Sequence, residues 1–197
     1  MRARALTPTP PLAQVGDGWD LDASCSGARG KCPSAVVLVG HLTANPLVCK
    51  LVVSRGVHVW RVRLEGVSGG GAWHYLGVAT KALPREGYVW DSKEAWVLSH
   101  YGREVYKGEG HKNGRRYGSY DKGKFPQVVE VVLDLSAGTE GTLEYVIDGV
   151  AQGVAFRGLQ GKELRLLAST NNDCKLELIS YEQRAAGVRA ISVVGAR

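Results

Sequence analysis

Hydrophobic and polar residues alternate along VVEVVLDL, residues 128–135. A period of two is typical of a β-strand with one buried face, because successive side chains point to opposite sides of a sheet. The apolar positions of the predicted buried face are Val129, Val131, Leu133 and Leu135. This segment therefore predicts a half-buried strand.

The residues after this strand predict a meander of antiparallel strands. LEYVI (143–147) and VAQGVAF (150–156) are separated by Asp148 and Gly149. A type I′ turn needs positive φ at both central residues, and Asp-Gly is one of the pairs that favour it. Glycines 158 and 161 mark a further reversal before LRLLAS (164–169). Connections this short leave no room for a helical crossover.

Further apolar runs predict strands over most of the chain. They are AVVLVGHL, LVCKLVV, HVWRVRLE, WHYLGVAT, WVLSHY and KLELISYE, with a short strand near residues 104–106. In HVWRVRLE the inward-facing positions are His58, Trp60, Val62 and Leu64. The sequence contains no long amphipathic helix, although QRAAGVRAISVVGAR at the end fits a strand or a helix. The pattern predicts an all-β domain.

Length and composition are consistent with one such domain. All-β sandwiches of about 200 residues often form a single unit, and this chain has 197 residues with 26 glycines that suit many tight turns. Thr-Pro-Thr-Pro-Pro near the start favours extended backbone. We predict a flexible segment over residues 1–18, a β-sandwich over residues 19–183 and a tail over residues 184–197.

The formal net charge is +6, and the clearest basic cluster contains Lys112, Arg115 and Arg116. Clusters of this kind can bind polyanions such as RNA. The surrounding glycines and polar residues also suit a solvated loop between strands, which we take as the favoured interpretation. Anion or RNA binding stays open as an alternative, and we expect nucleic acid not to be the main partner.

The cysteines and the N-terminus bear on location and metal binding. Cys25, Cys32, Cys49 and Cys174 lack the spacing of a metal motif. The first residues contain no apolar core of the length that a signal peptide needs, and no segment is apolar for long enough to span a bilayer. We expect reduced thiols, no metal, no membrane contact and an intracellular protein, cytoplasmic or nuclear.

Catalytic patterns are missing from the sequence. There is no G-x-S-x-G elbow and no H-E-x-x-H metal motif. We interpret His58 as a hydrogen-bonded core histidine, and Asp134 and Glu144 as solvent-facing strand positions. Trp60, Trp96, Tyr145 and Phe156 are predicted core residues. We therefore expect no enzyme and no cofactor.

Several ordered motifs resemble the SPRY domain, and most closely the SPRY domain of the SPRY–SOCS-box adaptor proteins. GTLEYVIDGVAQGVAFRGLQGKEL (141–164) is similar to the core of that domain. SRGVHVW (54–60) resembles the family's RGxHxWE strand, and LGVAT (76–80) its VGVAT strand. EAWVL (94–98) stands where the family usually has SWG, and NDCKL (172–176) lies near its late cysteine. The resemblance covers about residues 55–182.

This resemblance implies a bent two-sheet antiparallel β-sandwich of concanavalin-like architecture, whose edge loops bind a short peptide or a loop of a partner protein. Carried over by position, Tyr88 fits the adaptor subfamily's binding tyrosine, while Thr170, Asn171 and Asn172 replace its Val-Trp-Gly. These four residues are the predicted partner-binding site. The subfamily's tryptophan and early arginine are absent, so its acidic, asparagine-rich peptide is not the expected ligand.

We therefore expect a monomeric, non-catalytic protein-interaction module with an adaptor or scaffold role. The tail after Glu182 lacks the Leu-Cys-rich pattern of a SOCS box, and none is expected in this sequence. A lectin-like sandwich that binds glycan through Asn171, Asn172 and Asp173 is an alternative. Polyanion binding through the basic loop 111–124 is another.

Overall fold

The structure is a computed structural model, and it describes residues 18–20, 28–32, 35–38, 46–66, 74–100, 104–108, 113–120, 125–170 and 175–184. These residues form strands and one short 3-10 helix at Val89–Asp91. The strands are β1 (Trp19–Asp20), β2 (Ala28–Cys32), β3 (Ala35–Leu38), β4 (Leu47–Val53), β5 (Gly56–Glu65), β6 (His74–Ala79), β7 (Ala95–Ser99), β8 (Glu104–Tyr106), β9 (Arg115–Arg116), β10 (Gln127–Leu135), β11 (Thr142–Ile147), β12 (Val150–Arg157), β13 (Leu164–Thr170) and β14 (Lys175–Arg184).

The strands form two seven-stranded sheets. The first sheet has the order β1-β4-β13-β6-β7-β8-β9, and the second has the order β12-β11-β10-β5-β14-β3-β2. Every pairing between neighbours is antiparallel. The predicted all-β, two-sheet antiparallel architecture is confirmed.

The period-two pattern of β10 becomes a sharp alternation of burial. Its odd-numbered apolar residues are all fully buried, while the intervening residues are partly exposed. β10 pairs with β5, where Val131 lies opposite Trp60. Trp60, Trp96, Tyr145 and Phe156 are all buried in the core between the sheets. The strand phase and the predicted core aromatic residues are confirmed.

The Asp148-Gly149 reversal between β11 and β12 is also confirmed. φ is 48° at Asp148 and 81° at Gly149, as the expected turn requires. The Asp148 carboxylate accepts hydrogen bonds from the Val128 amide (3.1 Å) and the Gln127 side-chain amide (2.9 Å). The turn is thereby tied to the start of β10, which fixes the register of the meander.

The first sheet is covered on its outer face as well as on its inner face. A second apolar cluster packs there, outside the core between the sheets. Its members are Val48, Tyr75, Ala79, Leu83, Val89, Ala95, Val97, Tyr106 and Leu167. Leu83 and Val89 come from the connection between β6 and β7, so this connection covers the sheet instead of extending into solvent.

Some sequence-based expectations concern residues outside the described part of the chain. They include the conformation of residues 185–197 and the thiols of Cys25 and Cys174. Cys49 is a buried free thiol whose Sγ lies 3.1 Å from the Gly18 carbonyl oxygen. Within the described ranges, no helix has the length and apolar character needed to cross a membrane.

Candidate functional site

Residues 80–94, which we call the covering loop, connect β6 to β7 and are closed at their base. The Thr80 amide donates to the Glu94 carbonyl oxygen at 3.0 Å, and the Thr80 hydroxyl donates to the Glu94 carboxylate. The Ala82 amide donates to the Thr80 hydroxyl oxygen at 3.2 Å. Both ends of the loop are thus held by the same residue pair.

Two apolar side chains anchor the covering loop to the sheet. Leu83 and Val89 are buried in the outer cluster, and Val89 begins the 3-10 helix. The Asp91 amide donates to the Tyr88 carbonyl oxygen at 3.1 Å, which closes the helical turn. The Ser92 hydroxyl accepts from the Glu94 amide at 3.2 Å. Burial of these side chains and the local hydrogen bonds together anchor the loop to the sheet.

Three aromatic rings lead from the sheet to the surface. Tyr75 of β6 contacts Trp90 with ring centroids 4.8 Å apart, and Trp90 stacks on Tyr88 at 4.6 Å with an interplanar angle of 18°. Tyr88 is 44% exposed, although Tyr75 beneath it is buried. The Tyr88 ring is therefore supported by Trp90 and partly exposed to solvent.

Beside this ring lies a pocket of about 220 Å³, which we call the Tyr88 pocket. Its apolar walls include Pro46, Pro84 and Val89, and two carboxylate residues, Glu86 and Asp91, also line it. Pro46 precedes β4 and lies far from the covering loop in sequence. The pocket thus forms only where the covering loop meets the start of β4.

The pocket lies toward the end of the first sheet at which β13 finishes. Pro46 directly precedes Leu47, which is the register partner of Ala168, two residues before Thr170. Tyr75, beneath Trp90, is the register partner of Ser169. The structure therefore places Tyr88 and the end of β13 in the same region of the molecule.

Thr170 itself has an inward position. It is 3% exposed, and the alternation of β13 places it on the same face as the core residues Leu166 and Ala168. Asn171 and Asn172 follow directly but lie outside the described residues. Partner binding by Tyr88 and by residues 170–172 stays a prediction.

The basic residues lie elsewhere. Arg115 and Arg116 form β9, at the opposite edge of the first sheet from β1, and both are exposed. Arg115 donates to the Ala155 carbonyl oxygen of β12, in the second sheet. Lys112 lies outside the described residues. Anion binding by these three residues likewise stays a prediction.

The histidines in the described part of the chain are all buried. His58 is buried, with Nδ1 2.8 Å from the Tyr181 hydroxyl and Nε2 2.8 Å from the Arg55 carbonyl oxygen, which confirms the expected core histidine. Burial lowers its pKa, although the bond to Arg55 partly opposes that effect. His74 and His100 are buried, and burial lowers the pKa of both.

Two acidic residues were predicted to occupy solvent-facing positions on strands. Asp134 and Glu144 are half-buried on β10 and β11, and the Asp134 carboxylate accepts from the Ser136 amide at 2.8 Å. In the described part of the chain, no group of three or more His, Cys, Asp or Glu residues is arranged to hold a metal ion.

Sequence reasoning identified Tyr88 but missed the rest of its pocket. Trp90, which supports the Tyr88 ring from outside the pocket, has a local signal, because residues two apart share a face in an extended segment. Pro46 has none, because nothing local links it to a loop some forty residues later. Glu86 and Asp91 resemble ordinary loop residues until the pocket is seen.

Comparison with known proteins places this architecture in a family. A family model of the SPRY domain matches residues 57–183. Human SPRY domain-containing SOCS box protein 1 is 31% identical over 124 residues, which covers 58% of this chain and 44% of that protein. Protein gustavus of Drosophila melanogaster is 28% identical over 183 residues, covering 85% of this chain and 64% of that protein. The chain thus spans less than two thirds of either relative.

Solved structures agree on the fold. The SPRY domain of human HERC1 superposes with a TM-score of 0.66 at 15% identity, covering 87% of this chain and 100% of that one. The TRIM65 PSpry domain superposes with a TM-score of 0.61 at 17% identity, covering 89% and 98%. Similarity at these identities concerns the fold alone. With a family model that matches more than half of its length, this chain belongs to the SPRY domain family.

Proposed function

We propose that this chain is a non-catalytic protein-interaction module that binds a short peptide or an extended partner loop at the Tyr88 pocket. SPRY domains are generally protein-interaction modules in adaptor proteins. The role proposed here is accordingly that of an adaptor or scaffold, with this domain supplying the recognition surface.

The observation that carries the proposal is the exposed Tyr88 ring beside a pocket on a braced loop. Aromatic side chains with one open face are common anchors in protein interfaces, because they bury a large area at low entropic cost. Here Trp90 and Tyr75 hold the ring from below. Binding would require little further ordering of the covering loop, since its ends and its apolar anchors are already fixed.

The size of the pocket favours a peptide over a free small molecule. Pockets that enclose drug-sized ligands usually measure about 300–1,000 Å³. A volume of about 220 Å³ suits one inserted side chain, with the rest of the ligand lying across the surrounding surface. A short peptide or a partner loop has this form.

Affinity capture with three forms of the chain tests the proposal. Wild type, Tyr88→Ala and Val150→Ala are immobilised in equal amounts and incubated with cell lysate. The proteins that each form retains are quantified by mass spectrometry. Val150 is the matched control, because it is also an exposed apolar residue (60%) but lies on β12 in the other sheet. We expect at least one protein to be retained by wild type and Val150→Ala but lost with Tyr88→Ala.

Circular dichroism and thermal melting establish that all three forms are folded. If folded Tyr88→Ala retains the same proteins as wild type, or if no protein is retained specifically by any form, the Tyr88 pocket is not the recognition site.

A further inference from the structure

We infer that the Tyr88 pocket takes a lysine or arginine side chain of the bound peptide, so that the partner segment is basic. This inference rests on the proposed function and adds the chemistry of the ligand to it. It is carried by the charges that line the pocket, by the distribution of its apolar walls, and by the position of the exposed ring.

The charged lining of the pocket is entirely acidic among the described residues. Glu86 and Asp91 contribute to the wall, and no lysine or arginine does. Arg85 and Lys93 are neighbours in sequence, yet neither lines the pocket. Glu86 already has an interaction within the molecule, but a carboxylate has two acceptor oxygens, and Asp91 supplies a second carboxylate. An acidic ligand side chain would meet like charge here, whereas a cation would meet opposite charge at short range.

The apolar walls match the stem of a long cationic side chain. Lysine and arginine carry three or four methylene groups below the charge, and these groups pack on apolar surfaces while the charged end stays polar. Pro46, Pro84 and Val89 supply such surfaces. A purely aliphatic side chain would use these walls but would gain nothing from the two carboxylates.

The Tyr88 ring supplies a third element of recognition. Trp90 stacks nearly parallel on one face of the ring and Tyr88 is 44% exposed, so the ligand cation would lie over the other face. A cation over the face of a tyrosine is attracted by the ring quadrupole. Arginine would also stack its planar guanidinium there, whereas lysine would act as a point charge.

The net charge of the whole chain has the opposite sign to the charged residues that line the pocket. The chain has a formal net charge of +6, which disfavours the long-range approach of basic peptides. Selection of a basic ligand would therefore come from the pocket itself, at distances shorter than the Debye length of about 8 Å. It would also reverse the charge preference that resemblance to the adaptor subfamily implies.

Selection from a phage-displayed library of random heptapeptides tests the inference. The baits are wild type, Tyr88→Ala, the double variant Glu86→Gln/Asp91→Asn, and the control Glu140→Gln/Glu144→Gln. The control makes the same charge change on and beside β11 in the other sheet. We expect wild type and control to enrich peptides with a lysine or arginine at one constant position, and the pocket double variant to lose that preference.

A double-mutant cycle on a selected peptide makes the result quantitative. The conserved peptide cation is replaced by norleucine or citrulline, and dissociation constants are measured by isothermal titration calorimetry for wild type and the pocket double variant. We expect either change alone to weaken binding by about tenfold, as for two exposed ion pairs, and the combined change to add little more.

The outcomes separate this inference from the proposed function. Enrichment that depends on Tyr88 but shows no cation, or selects acidic residues, overturns the inference and leaves the peptide-binding role intact. Additive effects in the cycle likewise overturn it, because the peptide cation would then act outside the pocket. If no enrichment depends on Tyr88, both ideas fail.

Discussion

At the scale of single residues, His74 is a buried titratable group whose ring makes no hydrogen bond with the described residues. It lies at the start of β6, and neither ring nitrogen has a partner among the described residues. Its neighbours are the rings of Phe125 and His100, with centroids 5.4 and 6.3 Å away. Burial, and to a lesser extent His100, lowers the pKa of His74 to about 3. The folded state thus holds a neutral imidazole over the physiological pH range.

This environment predicts a loss of stability in mild acid. Because the pKa of His74 falls from 6.5 to about 3 on folding, the unfolded chain binds a proton that the folded chain does not bind between those values. The contribution of His74 to the free energy of unfolding is therefore fully present above about pH 6.5 and is lost progressively as the pH falls toward 3. We expect the free energy of unfolding to drop by about 1.4 kcal/mol between pH 7.5 and 5.5 from His74 alone.

Urea denaturation at pH 7.5, 6.5 and 5.5 measures this effect. The lowered pKa values of His58 and His100 act in the same direction, so wild type is expected to show a steeper decline than one histidine gives. His74→Leu removes one titrating group. The slope of the free energy of unfolding against pH is then expected to decrease by the equivalent of about one bound proton. An unchanged slope in His74→Leu would contradict the assignment.

At the scale of elements, the edge of β12 is covered by a neighbouring segment. Residues 113–120 run alongside it, with Arg115 donating to the Ala155 carbonyl oxygen and the Tyr117 hydroxyl donating to the Gly153 carbonyl oxygen. The Ser119 amide donates to the Gln152 side chain at 2.8 Å. An uncovered edge strand offers unpaired backbone groups to other chains. Arg115 therefore has a structural role here.

Loss of this cover is expected to promote association of the folded chain. Arg115→Ala/Tyr117→Phe removes two of the side-chain donors to β12 and leaves its carbonyl groups exposed. We expect concentration-dependent oligomers or aggregates in size-exclusion chromatography with light scattering. Arg116→Ala, at the exposed neighbouring position of β9, is the matched control and should behave as wild type. Equal behaviour of both variants would contradict a protective role for this segment.

At the scale of the whole molecule, stability and recognition use separate aromatic residues. Trp60 is fully buried in β5, and the Tyr145 hydroxyl of β11 donates to the Leu76 carbonyl oxygen of β6 at 2.8 Å, which connects the two sheets. Tyr88 lies beyond this core, on the outer side of the first sheet. We therefore expect a substitution in the core to destabilise both sheets and one at Tyr88 to leave them folded.

This separation predicts that two aromatic substitutions destabilise the domain to very different extents. Trp60→Ala removes a buried ring and is expected to cost about 3–5 kcal/mol, a large part of the roughly 5–15 kcal/mol that stabilises a typical domain. Tyr88→Ala is expected to cost under about 1 kcal/mol, because its ring is nearly half exposed. Urea denaturation monitored by far-UV circular dichroism measures both. Comparable destabilisation by the two variants would contradict the separation.

Much of the scaffold was predictable because its signals are local. The apolar alternation of β10 needs only residues 128–135, and the turn between β11 and β12 needs only the conformational freedom of Asp148 and Gly149. The candidate site was predictable in part. Tyr88 was found through a resemblance to a family, whereas Pro46 had no signal within its own neighbourhood.

Local sequence was enough to predict an all-β domain, its strand phases and its core aromatic residues, because side-chain alternation and turn chemistry act between near neighbours. The two-sheet sandwich was predicted from the resemblance to the SPRY family. The packing of the covering loop on the outer face of the first sheet became visible only in the folded structure. That packing depends on Leu83 and Val89 finding an apolar surface built from distant strands. It also brings Pro46, Glu86 and Asp91 around Tyr88, because a pocket is made by long-range contacts that no local pattern encodes.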